Sequence, residues 1–468
     1  MSLAPPLSQD VWEATPAESR ALIEALRLQV EAPRAEVVAL KDRLDANSSN
    51  SSKPPSTDPP HLKRRPPLVP SGKKRGGQQG HQRHTRPLVP PEQLVGSVEC
   101  KPAVCSGCGR HLDGDDPEPI RHQVAEIPEV RPTVIEYRIH RLTCPGCGDP
   151  THGRLPAGVP RGAFGPRLQA TVALLGGAYR LSKRRTASLL GDLLGLSTSS
   201  GMVCKAQHAV AEAVAAPVDT IAEHVRKAPG VGVDETGWKQ KAKKAWLWVA
   251  VTPRATLFRI DPKRGADALH ALVGHPIHPV LTCDRFSTYA RAPDRQTCWA
   301  HLRRDFQAMI DRDRGGQEVG AKSLGSSRLV FTWWRRFESG SVKRPTLQSS
   351  VAGLKPVVRL QLAEGVACAC PKTAKVCRKL LGAEAILWRF ATALGVPPHN
   401  NAAERALRGG VIWRKTSFGT DSSQGSHFVG RMLSVVETCG QQGRHVSSFL
   451  TDCVKAQFDG QPAPALLN

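Results

Sequence analysis

No stretch of this chain is apolar over the roughly 18 residues that a membrane helix needs, so no spanning segment and no membrane partner are expected. The opening residues MSLAPPLSQDVWEATP lack a basic region followed by an apolar one. No export signal is therefore expected, and cytoplasmic residence is the default. Acid is scarce: 41 Asp and Glu stand against 65 Lys and Arg, a formal net charge of +24. Such an excess repels itself unless a polyanion neutralises it. Nucleic acid is the leading partner, because each phosphate neutralised releases condensed counterions. A disulfide framework is also unexpected. The 13 cysteines are an odd number without an export signal, and read better as metal ligands or reduced core thiols.

What is present divides the 468 residues into several regions. Residues 16–46 read as a coiled-coil-like helix. Ile23, Val30, Val37 and Leu44 recur every seven residues, and Leu26 and Leu40 form a second apolar row. Pro33 falls on that second row and is expected to kink or split the helix. Residues 47–99 read as linker and basic arm. NSSNSSKPPSTDPP is rich in Ser, Asn and Pro, and residues 61–90 carry Lys and Arg without any acid. CSGC (Cys105, Cys108) and CPGC (Cys144, Cys147) are matching knuckles, each followed by Gly. Two such turns complete a tetrahedral four-thiolate site for one structural zinc, so residues 100–155 read as a zinc ribbon. Strand-like pieces such as TVIEYRIHRL lie between the knuckles. Residues 160–227 have helical periodicity. From Ser182 onward a helix, a turn and a second helix are expected, with Arg180, Lys183, Arg184 and Arg185 at the start. That is either a DNA-reading helix-turn-helix or a packed helical hairpin.

From residue 230 the texture changes to α/β. GVGVDE, AWLWVAVT and TLFRI read as three short strands, GADALHALVG as a helix, and HPVLTCD as a fourth strand ending in Asp284. RQTCWA reads as a fifth strand leading into the helix HLRRDFQAMIDR. A mixed sheet follows. Asp234 is expected to end the first strand. Gly232 and Asp234 share one face while Val231, Val233 and Glu235 share the other. The Gly232 face is roomier, so Asp234 rather than Glu235 is chosen for a site shared with Asp284. A third carboxylate, Glu404, lies in PPHNNAAERALRGG just after a helix start at Asn401. It reads equally as half of a capping box or as the partner of Arg408.

VDETGW, TCDRFSTY, CWAHLRRDF, NNAAERALR and VIWRKTSFGTDSSQGSHFV follow one another in an order that resembles the insertion-sequence-66 family of bacterial DDE transposases. The NSSKPPS linker, the GGQQGH segment and the two knuckles extend the resemblance over most of the chain. It implies an RNase H-like catalytic core formed by residues 228–311 and 398–420. A helical insertion (312–397) and a C-terminal helical region (421–468) complete the chain. It also implies DNA transposition, a homo-oligomer, two small accessory proteins of the same element, and Asp234, Asp284 and Glu404 as the catalytic carboxylates. Their hard oxygens suit two Mg²⁺ ions, with Mn²⁺ as an alternative, clamping an in-line phosphoryl displacement on element-end and target DNA. Cys298 and His301, spaced CxxH, match a pattern carried by many such enzymes and are expected to support the site. Arg405, Arg408, Arg414 and Lys415 gather charge after Glu404 and are expected to touch phosphates. The chain departs from the family pattern at His399, at Gly409–Gly410 and at Gly430. A nuclease that cuts without joining and a non-catalytic zinc-containing DNA-binding repressor are the rival readings.

Overall fold

The structure is a computed structural model and describes residues 9–45, 47, 51, 86–312 and 315–467. Of the linker and basic arm expected over 47–99, residues 47, 51 and 86–99 are described and the rest lie outside the described residues; the described part holds only the short 3-10 turn Pro91–Gln93. The short helix α1 (Gln9–Ala14) precedes α2 (Ala17–Asp45), which runs unbroken through Pro33. The expected split therefore does not occur. The heptad residues Leu26, Val30, Val37, Leu40 and Leu44 stay exposed along it.

In the knuckle region β1 (Arg141–Thr143) and β2 (Pro150–His152) pair antiparallel, and an isolated antiparallel bridge joins Val104 and His111. The longer strand expected in TVIEYRIHRL is reduced to its last residues. A strand needs a partner for its backbone N–H and C=O groups, and β2 supplies one across only three residues.

Four helices follow: α3 (Pro166–Gly177), α4 (Lys183–Leu194), α5 (Ser200–Ala213) and α6 (Ala215–Lys227). The expected helix, turn and helix are α4 and α5. Ser182 caps α4 by accepting from the Arg185 N–H, and Ser199 caps α5 by accepting from the Met202 N–H. Gly195, at φ 64°, ends α4 in the left-handed conformation that favours glycine. Helix α5 packs against α3 and α4 and against two C-terminal helices, α14 (Ser423–Gln441) and α15 (Val446–Phe458). It thus serves as a packed member of a helical layer.

The sheet is built from β3 (Gly230–Gln240), β4 (Lys243–Val251), β5 (Thr256–Asp261), β6 (Val280–Cys283) and β7 (Arg295–Thr297). The spatial order is β5-β4-β3-β6-β7. The first three strands form an antiparallel meander, and β6 and β7 add parallel to β3. Helix α7 (Ala266–Val273) makes the crossover between β5 and β6. Lys241 and Ala242 both have positive φ and make the two-residue turn of the β3–β4 hairpin. Strand β3 is longer than expected. Asp234 sits mid-strand, because pairing with β4 continues through Gly237 and Trp238 to Gln240.

After β7 come α8 (Trp299–Ile310), α9 (Gln317–Glu338), α10 (Arg344–Ala367), α11 (Pro371–Leu381) and the short α12 (Arg389–Thr392). They bury a second core around Trp299, Phe306, Trp334, Leu354 and Phe390, separate from the core of the sheet. The chain then returns to the sheet as α13 (Asn401–Ser417), which packs across β3 and β4. The approach is close. A β-carbon on Gly410 would lie 2.2 Å from Leu247 Cδ2, and one on Gly430 of α14 would lie 3.2 Å from the Phe258 carbonyl oxygen. These contacts account for glycine at two positions where the chain departs from the family pattern. Gly410→Val is expected to cost about 1–3 kcal/mol through overpacking. A urea titration read by circular dichroism checks it, and an unchanged midpoint would refute the close-approach argument.

Candidate active site

Alternation along β3 sends Gly232, Asp234 and Thr236 to the face that α13 covers. A β-carbon on Gly232 would lie 2.8 Å from Asn400 Oδ1 and 3.8 Å from Ala403 Cβ. Arg414 Nη1 donates to Thr236 Oγ1 at 3.2 Å. Asp234 therefore lies on the face of the helix whose first turn carries Glu404. Asp284 follows β6 directly, and its Oδ1 accepts the Phe286 N–H at 2.8 Å, closing a tight turn.

Glu235 points the other way and is fully engaged. Its Oε1 accepts from Arg264 Nε at 2.9 Å and Nη2 at 2.6 Å, and its Oε2 accepts from the Tyr289 hydroxyl. The side chain is 2 % exposed. Burial raises its pKa, and the bonds from Tyr289 and Arg264 oppose the rise. The Arg264 guanidinium is held between the rings of Phe286 and Trp246, at 3.8 and 4.5 Å from their centroids.

Asp234 has no such cation. Its Oδ1 accepts the Glu235 N–H at 2.9 Å. Burial pushes its pKa up to about 8, reinforced by the negative charges of Glu235, Asp284 and Glu404. Asp234, Asp284 and Glu404 thus share one electrostatic neighbourhood, although their oxygens are not all within 4.8 Å of one another.

Glu404 makes no capping box. The N-cap is Asn400, one residue before the expected start, and its side chain does not cap the helix. Instead Asn400 Nδ2 donates to the Val233 carbonyl at 2.7 Å, and its N–H donates to Cys298 Sγ at 3.2 Å. Its Oδ1 is buried without a partner. One residue thereby ties α13 to β3 and to the start of α8. The doubled Asn in PPHNN was the available signal for it. Tyr289 closes the TCDRFSTY motif but nothing there gave it a role, and Arg264 had no local signal, because both act through distant packing.

Cys298 N-caps α8, and its N–H donates to the Cys283 carbonyl at 2.8 Å. Cys298 Sγ, a ring nitrogen of His301 and a carboxylate oxygen of Glu404 lie within 4.8 Å of one another. Among the described residues this is the only such group of three potential metal ligands. His301 Nδ1 stands 3.5 Å from Glu404 Oε1 without a hydrogen bond. Burial, aided by Arg304, lowers the His301 pKa, and burial lifts the Cys298 thiol to about 11. Both shifts favour the uncharged forms of the imidazole and the thiol.

The remaining expected residues divide. At each knuckle a backbone turn closes, Gly109 N–H to the Cys105 carbonyl and Gly148 N–H to the Cys144 carbonyl, both at 2.9 Å. Backbone N–H groups and the second thiol of each turn lower the pKa of Cys105 and of Cys144. The two turns are not brought together: among the described residues no three of Cys105, Cys108, Cys144 and Cys147 come within 4.8 Å. Arg180 and Arg414 are committed to backbone. Arg180 donates to the Gly409 carbonyl at 3.4 Å, and Arg414 to the Gly237 carbonyl at 2.5 Å. They fasten α13 in place. Lys183, Arg184, Arg185, Arg405, Arg408 and Lys415 are exposed.

Comparison with known proteins gives this site a context. The family described as "Transposase IS66 family" matches residues 161–427. A "Family of unknown function (DUF6444)" matches residues 3–87. Uncharacterized protein y4qI of Sinorhizobium fredii (strain NBRC 101917 / NGR234) is 25 % identical, over 77 % of this chain and 72 % of its own length. Uncharacterized protein y4hP of the same strain is 24 % identical, over 78 % and 72 %. No helix among the described residues is long and apolar enough to cross a membrane. The transposase match runs from the segment before α3 into α14, taking in Asp234, Asp284 and Glu404. The chain belongs to the IS66 family of transposases, which suggests DNA transposition.

Proposed function

We propose that the protein cuts and joins DNA at element ends by two-metal-ion phosphoryl transfer, with Asp234, Asp284 and Glu404 as its catalytic carboxylates. One observation carries the reading: Asp234 on a central strand is buried, which pushes its pKa up to about 8, and the charges of Glu235, of Asp284 at a strand end and of Glu404 at a helix start reinforce the rise. Such an oxygen-only set is short of positive charge and fits hard divalent cations, Mg²⁺ or Mn²⁺. When bound, the ions would polarise the phosphoryl group and favour deprotonation of the attacking hydroxyl. The strand order β5-β4-β3-β6-β7 supports an RNase H-like core.

The other residues position this set. Asn400 fixes where Glu404 begins, by bonding β3 and Cys298 at once. Arg264 and Tyr289 hold Glu235 away from the reacting face. Arg180 and Arg414 brace α13 from either side, and the exposed Lys183, Arg184, Arg185, Arg405, Arg408 and Lys415 orient the DNA backbone without reading sequence. A homo-oligomer and two accessory proteins of the element complete the proposal.

The test is to incubate purified protein with Mg²⁺ and DNA carrying the element's own ends. Nicked and joined products are expected. Cleavage without joining would favour a simple nuclease, and salt-sensitive binding without cleavage would favour a repressor. The knuckles make a second prediction. Cys105, Cys108, Cys144 and Cys147 are proposed to hold one zinc per chain, since metal binding and ribbon folding are coupled. Elemental analysis should find that zinc, and the Cys105→Ser, Cys144→Ser double variant should lose it. Folded protein free of zinc would sink the assignment.

A further inference from the structure

A cavity of about 520 Å³ opens beside Asp284, between the loop after β6 and helix α11. Its lining is strongly one-signed. Arg285, Arg295, Arg312, Lys372, Lys375 and Lys379 face Asp284 as the lone acid. Three of these cations are already engaged. Arg285 pairs with Asp305 at 2.5 Å, Arg295 Nη1 donates to the Tyr289 carbonyl at 3.3 Å, and Arg312 Nη1 donates to Thr373 Oγ1 at 3.3 Å. The last bond ties the segment after α8 to the first turn of α11.

The three lysines are different. Lys372, Lys375 and Lys379 recur at helical spacing on one side of α11, are exposed, and have no ion-pair partner among the described residues. Three ammonium groups without an ion-pair partner on one wall repel one another, weakly through water, and an anion seated among them would relieve that repulsion. The opposite wall ends at Asp284, so the anion lies next to the proposed reaction centre.

The size narrows the ligand. A space in the few-hundred-cubic-ångström range encloses a molecule of drug size. A DNA duplex does not enter it. A single-stranded segment does, with its phosphates along the lysines. We infer that this cavity takes an unpaired nucleotide of the DNA strand being processed, so that the protein separates the strands at the element end before Asp284 meets the scissile phosphate. The inference rests on the transposase reading and adds to it a binding subsite and a strand preference. Extracting a nucleotide from a duplex costs a few kcal/mol, and phosphate contacts on Lys372, Lys375 and Lys379 offset part of that.

The experiment compares a fluorescent single-stranded oligonucleotide with its duplex, by anisotropy over a series of salt concentrations. The proteins are full-length wild type, a Lys372→Gln, Lys375→Gln, Lys379→Gln variant, and the corresponding triple Lys→Arg variant. Each phosphate contact to single-stranded DNA contributes about 0.7 to the slope of log affinity against log salt. The Gln variant should therefore lose roughly 2 units of slope for the single strand, retain the duplex slope, and regain the loss in the Arg variant. Equal losses for both DNA forms would make the lysines a general attractive surface and overturn the strand preference. No loss for either would overturn the site. The lysines are exposed, so a melting curve matching wild type is expected, and the Arg variant keeps the test decisive if the Gln variant misfolds. Asp234→Ala should leave all the slopes unchanged. Wild-type protein that shows the strand-specific slopes yet never cuts element ends would leave the subsite standing and bring down the transposase reading.

Discussion

Asp234→Ala is expected to reduce Mg²⁺-dependent nicking and joining of element ends by on the order of 10³-fold or more, the scale seen when one central electrostatic group is removed from an active site. DNA binding should persist. The neighbouring Glu235→Gln substitution is expected to retain cleavage, because Glu235 turns away from α13 into the grip of Arg264 and Tyr289. A quantitative gel assay of both variants separates the two carboxylates, and equal activity of Asp234→Ala and wild type would remove the catalytic assignment. Asp234 also leaves a mark on stability. Its pKa is raised from 3.8 to about 8 in the folded protein. Between those values the folded state binds more protons than the unfolded state, so stability falls as pH rises from about 4 to about 8. Asp234→Asn buries no charge. In metal-free buffer it should melt above wild type at pH 8, and the advantage should fade as pH falls toward 4. A site that is more stable without its working residue is the usual cost of holding charges ready for a ligand.

Arg264→Ala is expected to lower stability by about 1–2 kcal/mol at neutral pH, less than for a fully buried pair because the Arg264 side chain is 38 % exposed and partly screened by water. The Glu235 side chain is 2 % exposed, and its charge is left uncompensated. The rings of Phe286 and Trp246 lose their guanidinium as well. The pH dependence carries the diagnosis. Burial already raises the Glu235 pKa, and loss of the nearby cation raises it further. A folded-state carboxyl pKa above the unfolded one means stability declines as pH rises through that interval. The penalty should therefore be largest at pH 8 and shrink as pH falls toward the ordinary carboxyl value of 4.5. Adding Glu235→Gln to Arg264→Ala should recover most of the loss, a coupling that denaturant titration of the double-mutant cycle reads directly. A penalty constant across pH would show that Arg264 acts through packing alone.

Much of this architecture can be read from residue pattern. β-Branched and aromatic runs marked the sheet strands, and the Asp after VLTC marked the end of β6, because such signals are local. Strand alternation alone separated Asp234 from Glu235, since period two is a property of backbone geometry. What escaped depends on contacts between distant segments. Asp234 was expected to end the first strand, but β4 offered β3 partners as far as Gln240. Asn401 was the expected helix start and is the first residue of α13, but the bond from Asn400 to the Val233 carbonyl, on another element, was not legible. The carbonyl bonds of Arg180 and Arg414 also went unread, because sequence reports charge and not the carbonyls a guanidinium will reach. The knuckle spacing was plain, whereas the meeting of the two knuckles was not.

The joint between Asn400 and Val233 spans 167 residues of chain. A ribosome adding about 5–20 residues per second needs roughly 8–33 s to cross that interval. Asp234 and Asp284 are added within it, and Glu404 lies beyond its end, so for the whole interval the growing chain lacks the third of the proposed carboxylates. On the proposed reading, the growing polypeptide therefore cannot cut DNA before Glu404 has been made, and a product ended before residue 400 would never acquire that carboxylate.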